Sequence, residues 1–166
     1  INLSEPVVQE RLSLFLNALE ILALTAHNCA ASIPSVPESM APLIEKRLLT
    51  AQKNRISPLS YQLLMNSFIQ LMPFHSLKNI FGQLEELIIW GHYLQTADKA
   101  LYPDPRGMAA AMEEFVSALN THDPSALADA YGNAFTQLYE DALKVISQIP
   151  DCSGLLSAVH SDHRYL

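Results

Sequence analysis

The stretch over residues 76–101, SLKNIFGQLEELIIWGHYLQTADKAL, constrains this chain more than any other part of it. Leu77, Ile80, Phe81, Leu84, Leu87, Ile88, Gly91 and Leu94 recur at three- and four-residue steps, the spacing that lines up side chains along one side of an α-helix. A helix of that length spans about 37 Å at roughly 1.5 Å per residue, enough to cross a small domain. The expected architecture therefore has the remaining helices packed around it.

The rest of the chain supplies such helices, and proline marks their edges. Ser4-Glu5-Pro6 reads as a capped start, followed by Val8, Leu12, Phe15, Leu19, Leu22 and Ala26 as an inward stripe, with Leu16, Ile21 and Leu24 widening it. This first helix should reach about residue 31, before Pro34 and Pro37 break it. A second helix is expected over 38–53, with Leu43, Ile44, Leu48 and Leu49 inward and Pro42 confined to its first turn. Pro58 opens a third that Pro73 ends. Asp104-Pro105 and Asp123-Pro124 repeat the same signal, a side chain able to cap the first turn followed by a residue with no N–H to waste. Met108, Met112, Phe115 and Leu119 then face inward on a helix over 105–120, and Leu127, Tyr131, Ala134, Leu138, Ala142 and Val145 on one over 124–148. Residues 149–166 form a tail with room for one short helix over 155–159. No segment alternates as a strand would. The sequence thus predicts an all-α, single-domain antiparallel bundle of about six helices over residues 1–166. One internal echo, Phe81-Gly82-Gln83-Leu84-Glu85-Glu86 against Phe135-Thr136-Gln137-Leu138-Tyr139-Glu140, uses such common helix formers that it carries no duplication.

Composition narrows the functional classes. Only 16% of the 166 residues are charged, against a usual share of about 25%, while 49% are apolar. That shortage of charge points to a surface partly reserved for a partner. Net charge is −7, and residues 102–151 hold eight acids against Arg106 and Lys144. A nucleic acid would be repelled by such a surface. The uncharged run 56–77 has the length of a membrane span, but Pro58, Pro73, Gln62, Asn66, Gln70 and four serines argue against one. Cys29 and Cys152 belong to no C-x-x-C motif and read as reduced thiols of a cytoplasmic protein, although a chain that starts at Ile1 leaves room for a removed leader.

Chemical motifs are sparse. No acidic residue is followed three positions later by His, so the carboxylate di-metal bundle has no ligands here. His27 and Cys29 sit about 200° apart on a helix and cannot share one ion, which leaves a core histidine beside a buried thiol. His160 and His163 read as a solvated tail. The glycines at 82, 91, 107, 132 and 154 compose no nucleophile elbow, dinucleotide fingerprint or phosphate loop. Glu85 and Glu86 point about 100° apart, and a buried one would hold its proton more tightly. No catalytic, cofactor or metal residues are therefore assigned.

Two features point to binding. Gln62, Asn66 and Gln70 recur every fourth residue as a polar stripe without charge, with Met65 and Phe68 beside it. Interface cores are likewise poor in charge and rich in aromatics and Met. Gly91 costs about 1 kcal/mol in a helix interior, so it marks a close approach by another helix or by a ligand lodged among Trp90, His92 and Tyr93. The expected function is a non-catalytic interaction module, an adaptor, chaperone-like protein or regulatory subunit, that binds a partner helix or a second copy through the third helix. A sensor for a small apolar ligand near Trp90 is the alternative.

Overall fold

The computed structural model describes residues 2–36, 38–53 and 57–149. The expected tail helix, Cys152, His160 and His163 lie outside that range. The described residues form six α-helices and no strand: α1 Pro6–Ala30, α2 Met40–Lys53, α3 Ser57–Leu71, α4 His75–Ala97, α5 Pro105–Thr121 and α6 Pro124–Ser147, with a 3₁₀ turn at Lys99–Leu101. The chain is an all-helical bundle.

Local chemistry explains the boundaries. Asp104 Oδ1 accepts the Arg106 N–H at 3.0 Å and Asp123 Oδ1 accepts the Ser125 N–H at 3.0 Å, each with proline opening the helix. The start of α1 differs from expectation. Glu5 occupies the cap position without a side-chain bond, because Ser4 turns back to the Asn2 carboxamide. Likewise α4 stops at Ala97, short of Leu101. Asp98 adopts an extended backbone, and its carboxylate accepts the Ala100 N–H at 2.9 Å, which starts the 3₁₀ turn instead.

The centre of the bundle is the α1–α6 pair, not α4. These two helices share the most extensive contact; α5 packs on α6, α4 on α1, and α3 joins α4 to α2. They run antiparallel: His27 near the end of α1 meets Asp129 near the start of α6, while Glu20, earlier on α1, sits close enough to influence Tyr139, later on α6. Leu12, Phe15, Leu16, Leu19 and Leu22 of α1 are all fully buried, as are Tyr131 and Ala134 of α6. Each side chain of the larger kind stabilises by about 1.5–3 kcal/mol on burial. By contrast α4 buries one side only. Phe81, Leu84, Ile88, Gly91, His92 and Gln95 face the core, whereas Ile80 is exposed.

An aromatic cluster ties the remaining helices together. Phe68 of α3 packs against Phe81 of α4 and against Tyr131 and Phe135 of α6 with centroids 4.9–5.3 Å apart, and Phe115 of α5 reaches Tyr131 at 4.8 Å. Such pairs add about 0.5–1.5 kcal/mol beyond the area they hide. The Tyr131 hydroxyl finds a partner inside this apolar setting. It donates to Ser67 Oγ at 2.9 Å, which donates onward to the Leu64 carbonyl. Burial pushes the Tyr131 phenol well above its ordinary range.

Several apolar residues expected inward are not. Ile21 and Leu24 of α1 and Leu43 and Leu49 of α2 are exposed, and the side chain of Leu48 lies outside the described set. The core needs only a limited arc of each helix, and their stripes are wider than that arc.

Candidate functional site

The residues singled out in α3 divide between surface and core. Gln62, Asn66 and Gln70 are exposed, one helical ridge apart, as their spacing requires. Met65 and Phe68 are 2% and 0% exposed and belong to the core, so the face they were expected to share with the amides is not a surface. Among the described side chains, the outward ridge of α3 is thus three amides without a large apolar anchor.

Trp90, His92 and Tyr93 also part company. His92 points inward, its ring edge-on to Phe15 with centroids 5.4 Å apart, and its Nδ1 is 3.0 Å from Gln95 Oε1. Burial lowers its pKa to about 4. Trp90 and Tyr93 point outward, half or more exposed, with ring centroids 6.1 Å apart. Gly91 between them has a clear purpose: a Cβ there would collide with the Phe15 ring. Its absence lets α1 press a phenyl group onto the α4 backbone.

Beside that contact runs a largely apolar face. On α1, Val7, Leu14 and Ile21 recur every seven residues; on α4, Ile80, Leu87 and Leu94 do the same. Val7, Ile21 and Ile80 are exposed, and Leu14, Leu87 and Leu94 are half-buried. The Arg11 guanidinium lies 5.5 Å from the Trp90 ring centroid and bridges the two helices. Glu10 and Glu86 are exposed one turn from this face, on the same side as Val7 and Leu14 and as Trp90 and Tyr93 respectively. Seven-residue spacing on two adjacent helices is the pattern that receives a third. Surfaces of single-chain proteins seldom leave so many large apolar groups together without a partner.

A second region is polar. The start of α5 and the end of α6 enclose a cleft of about 430 Å³ lined by Tyr102, Asp104, Arg106, Gln137, Asp141 and Lys144 among others. Asp104 and Arg106 neutralise each other through three side-chain bonds of 3.1, 3.0 and 2.6 Å, and that partner lowers the Asp104 pKa to about 2. Gln137 Nε2 donates to Asp141 Oδ1 at 2.8 Å. A Cβ at Gly107 would collide with that amide, so glycine there makes the room in which Gln137 sits. The other carboxylate oxygen, Asp141 Oδ2, is shielded from solvent and accepts no hydrogen bond from a described residue. Desolvation, with the nearby Asp104 and Glu140 charges, raises the Asp141 pKa. Sequence reading missed this cleft, although Gln137, Asp141 and Lys144 stand at helical steps of four and three on one side of α6.

The remaining candidates are structural or isolated. His27 is not a core residue. Its ring is more than half exposed and bonds Asp129 Oδ1 at 2.8 Å, turned outward because its Cβ lies against Gly132. Cys29 is half-buried, and desolvation raises its thiol pKa. Of the adjacent glutamates, Glu85 is the one partly desolvated, with its pKa raised accordingly. Among the described residues no three His, Cys, Asp or Glu side chains gather as metal ligands, and no helix is long and apolar enough to cross a membrane. No protein-family model, curated protein or solved structure matches the chain.

Proposed function

We propose that this chain is a non-catalytic helical module that binds an amphipathic helix of a partner protein along the α1–α4 face. The observation that carries the reading is the pair of seven-residue apolar stripes, Val7-Leu14-Ile21 and Ile80-Leu87-Leu94, left partly open beside the exposed rings of Trp90 and Tyr93. Affinity at protein interfaces concentrates in a few large aromatic and apolar anchors. That favours this face over the amide ridge of α3. Charge selects the occupant. Arg11 is engaged over Trp90, while Glu10 and Glu86 flank the face and the chain carries −7 overall. A helix with basic residues beside its apolar stripe complements that border, whereas a second copy would set like charges together.

Trp90 is the only tryptophan, so its emission reports on this face alone. A synthetic leucine/lysine amphipathic helix, titrated at micromolar concentrations, should shift Trp90 emission to the blue and saturate, and a scrambled peptide of the same composition should not. Ile80→Asp should abolish the shift without unfolding the chain, since Ile80 is 52% exposed. Equal responses to the two peptides, or an unaffected Ile80→Asp variant, would overturn the assignment. Concentration-dependent dimerisation through the same face would replace the partner helix by a second copy.

A further inference from the structure

We propose that the helix docked on the α1–α4 face carries one acidic residue within its apolar stripe, and that Arg11 selects the partner by pairing with that carboxylate. This inference rests on the docking reading above and names the partner's chemistry. On α1 the series Val7, Leu14 and Ile21 is interleaved with Arg11, Ala18 and Thr25 at alternating steps of four and three. On α4 the series Ile80, Leu87 and Leu94 is interleaved with Gln83 and Trp90 at steps of three and four. Each row thus follows the spacing of a helix that receives another. Arg11 is the only charged residue in either row. It is exposed, and its guanidinium lies 5.5 Å from the Trp90 ring centroid, so the charge stands between the two rows.

The Trp90 contact leaves that charge incompletely matched. Arg11 forms no ion pair and no hydrogen bond with a described residue, so the attraction to the ring leaves its fork of N–H donors without an acceptor. Glu10 projects about 100° away round α1, and Glu86, one turn from Trp90, makes no ion pair with it. A helix laid along the two rows covers the guanidinium. A purely apolar stripe would then bury an unpaired charge, which is costly, whereas an Asp or Glu facing it supplies two acceptor oxygens in the geometry of the fork. The same cost fixes the register of the docked helix, as one polar residue does in a coiled-coil core. A partner with a lysine at that level is rejected by repulsion. The complementary helix therefore has basic residues along its border, facing Glu10 and Glu86, and a single acid in its centre, facing Arg11.

The test uses the full chain and fluorescein-labelled synthetic helices, with anisotropy as the readout. The parent peptide is the leucine/lysine amphipathic helix, and in each variant one leucine of its stripe is replaced by Glu or by Gln, position by position. At one position Glu should bind about tenfold or more tightly than Gln, as expected for a charge-assisted pair. Arg11→Met should bind the parent at least as well as the unmodified chain does and lose the preference for Glu. Arg11→Glu should prefer Lys at that same peptide position. Arg11 is exposed, so both variants should keep the fold, which thermal unfolding checks. If the parent binds but Glu is favoured over Gln nowhere, or if the preference survives in Arg11→Met, this inference is overturned and the docking face stands. If neither the parent nor any variant binds, both are overturned.

Discussion

Helix α1 makes two long contacts, and they end differently. Against α6 its small side chains are hidden: Ala26 and Ala30 of α1 are buried, as are Ala128, Ala130 and Ala134 of α6, and Gly132 accommodates the Cβ of His27. Against α4 the contact is just as intimate at one point, where Phe15 rests on Gly91, yet it opens within a turn onto Trp90 and Tyr93 and, about three turns away, onto Ile80. Small residues on both helices close the first seam. A single glycine and a large phenyl ring hold the second, and bulky groups on either side stand clear of it. Tight packing at one residue therefore does not make a closed interface.

Breaking the second seam at its point of closest approach should have the largest effect. Phe15→Ala removes a fully buried ring and should cost about 4 kcal/mol in urea unfolding. Gly91→Ala should cost about 3 kcal/mol by forcing that ring aside. Because both act on one contact, the double variant should lose clearly less than the sum, and additivity would show that the seam is not held there.

Acid should loosen the same place. His92 titrates at an ordinary 6.5 in the unfolded chain and at about 4 when folded. The unfolded state thus takes up a proton that the folded state refuses. Its contribution is complete above about pH 6.5 and is lost as pH falls towards 4, by about 3 kcal/mol. His92→Gln should flatten this slope in denaturation curves measured across that window.

At the well-covered α6, removing a cap should matter less. Asp123→Ala leaves the Ser125 N–H without its acceptor and should cost about 1 kcal/mol by thermal unfolding. Smallest of all is the open face. Tyr93→Ser should change stability by no more than about 0.5 kcal/mol while reducing capture of the amphipathic peptide. A large stability loss there would mean that the ring serves the fold and not a partner.

How much of this was legible beforehand depended on how local the cause is. The starts of α5 and α6 could be read directly, because an aspartate capping the N–H two residues on and a proline at the first helical position act within a few atoms of chain. The burial of His92 and Gln95 could not be read that way, since it goes with the hydrogen bond between their side chains and with the Phe15 ring brought against His92 from another helix. Nor could the exposure of Ile80 and Trp90, whose hydropathy resembles that of core residues. The polar cleft was hidden for a different reason: Asp104 and Asp141 are far apart in sequence and meet only once α5 has folded back on α6.

From residue order alone follow the helical class, the number of helices and most of their ends, because helical periodicity, capping and the missing proline N–H are properties of neighbouring residues. Tertiary packing alone decided that α1 and α6 form the centre, that Gly91 serves Phe15, and that α4 keeps one side outward. Those outcomes depend on which helix covers which, and a stripe of apolar residues states only that a side seeks cover, not whether another part of the chain arrives to supply it.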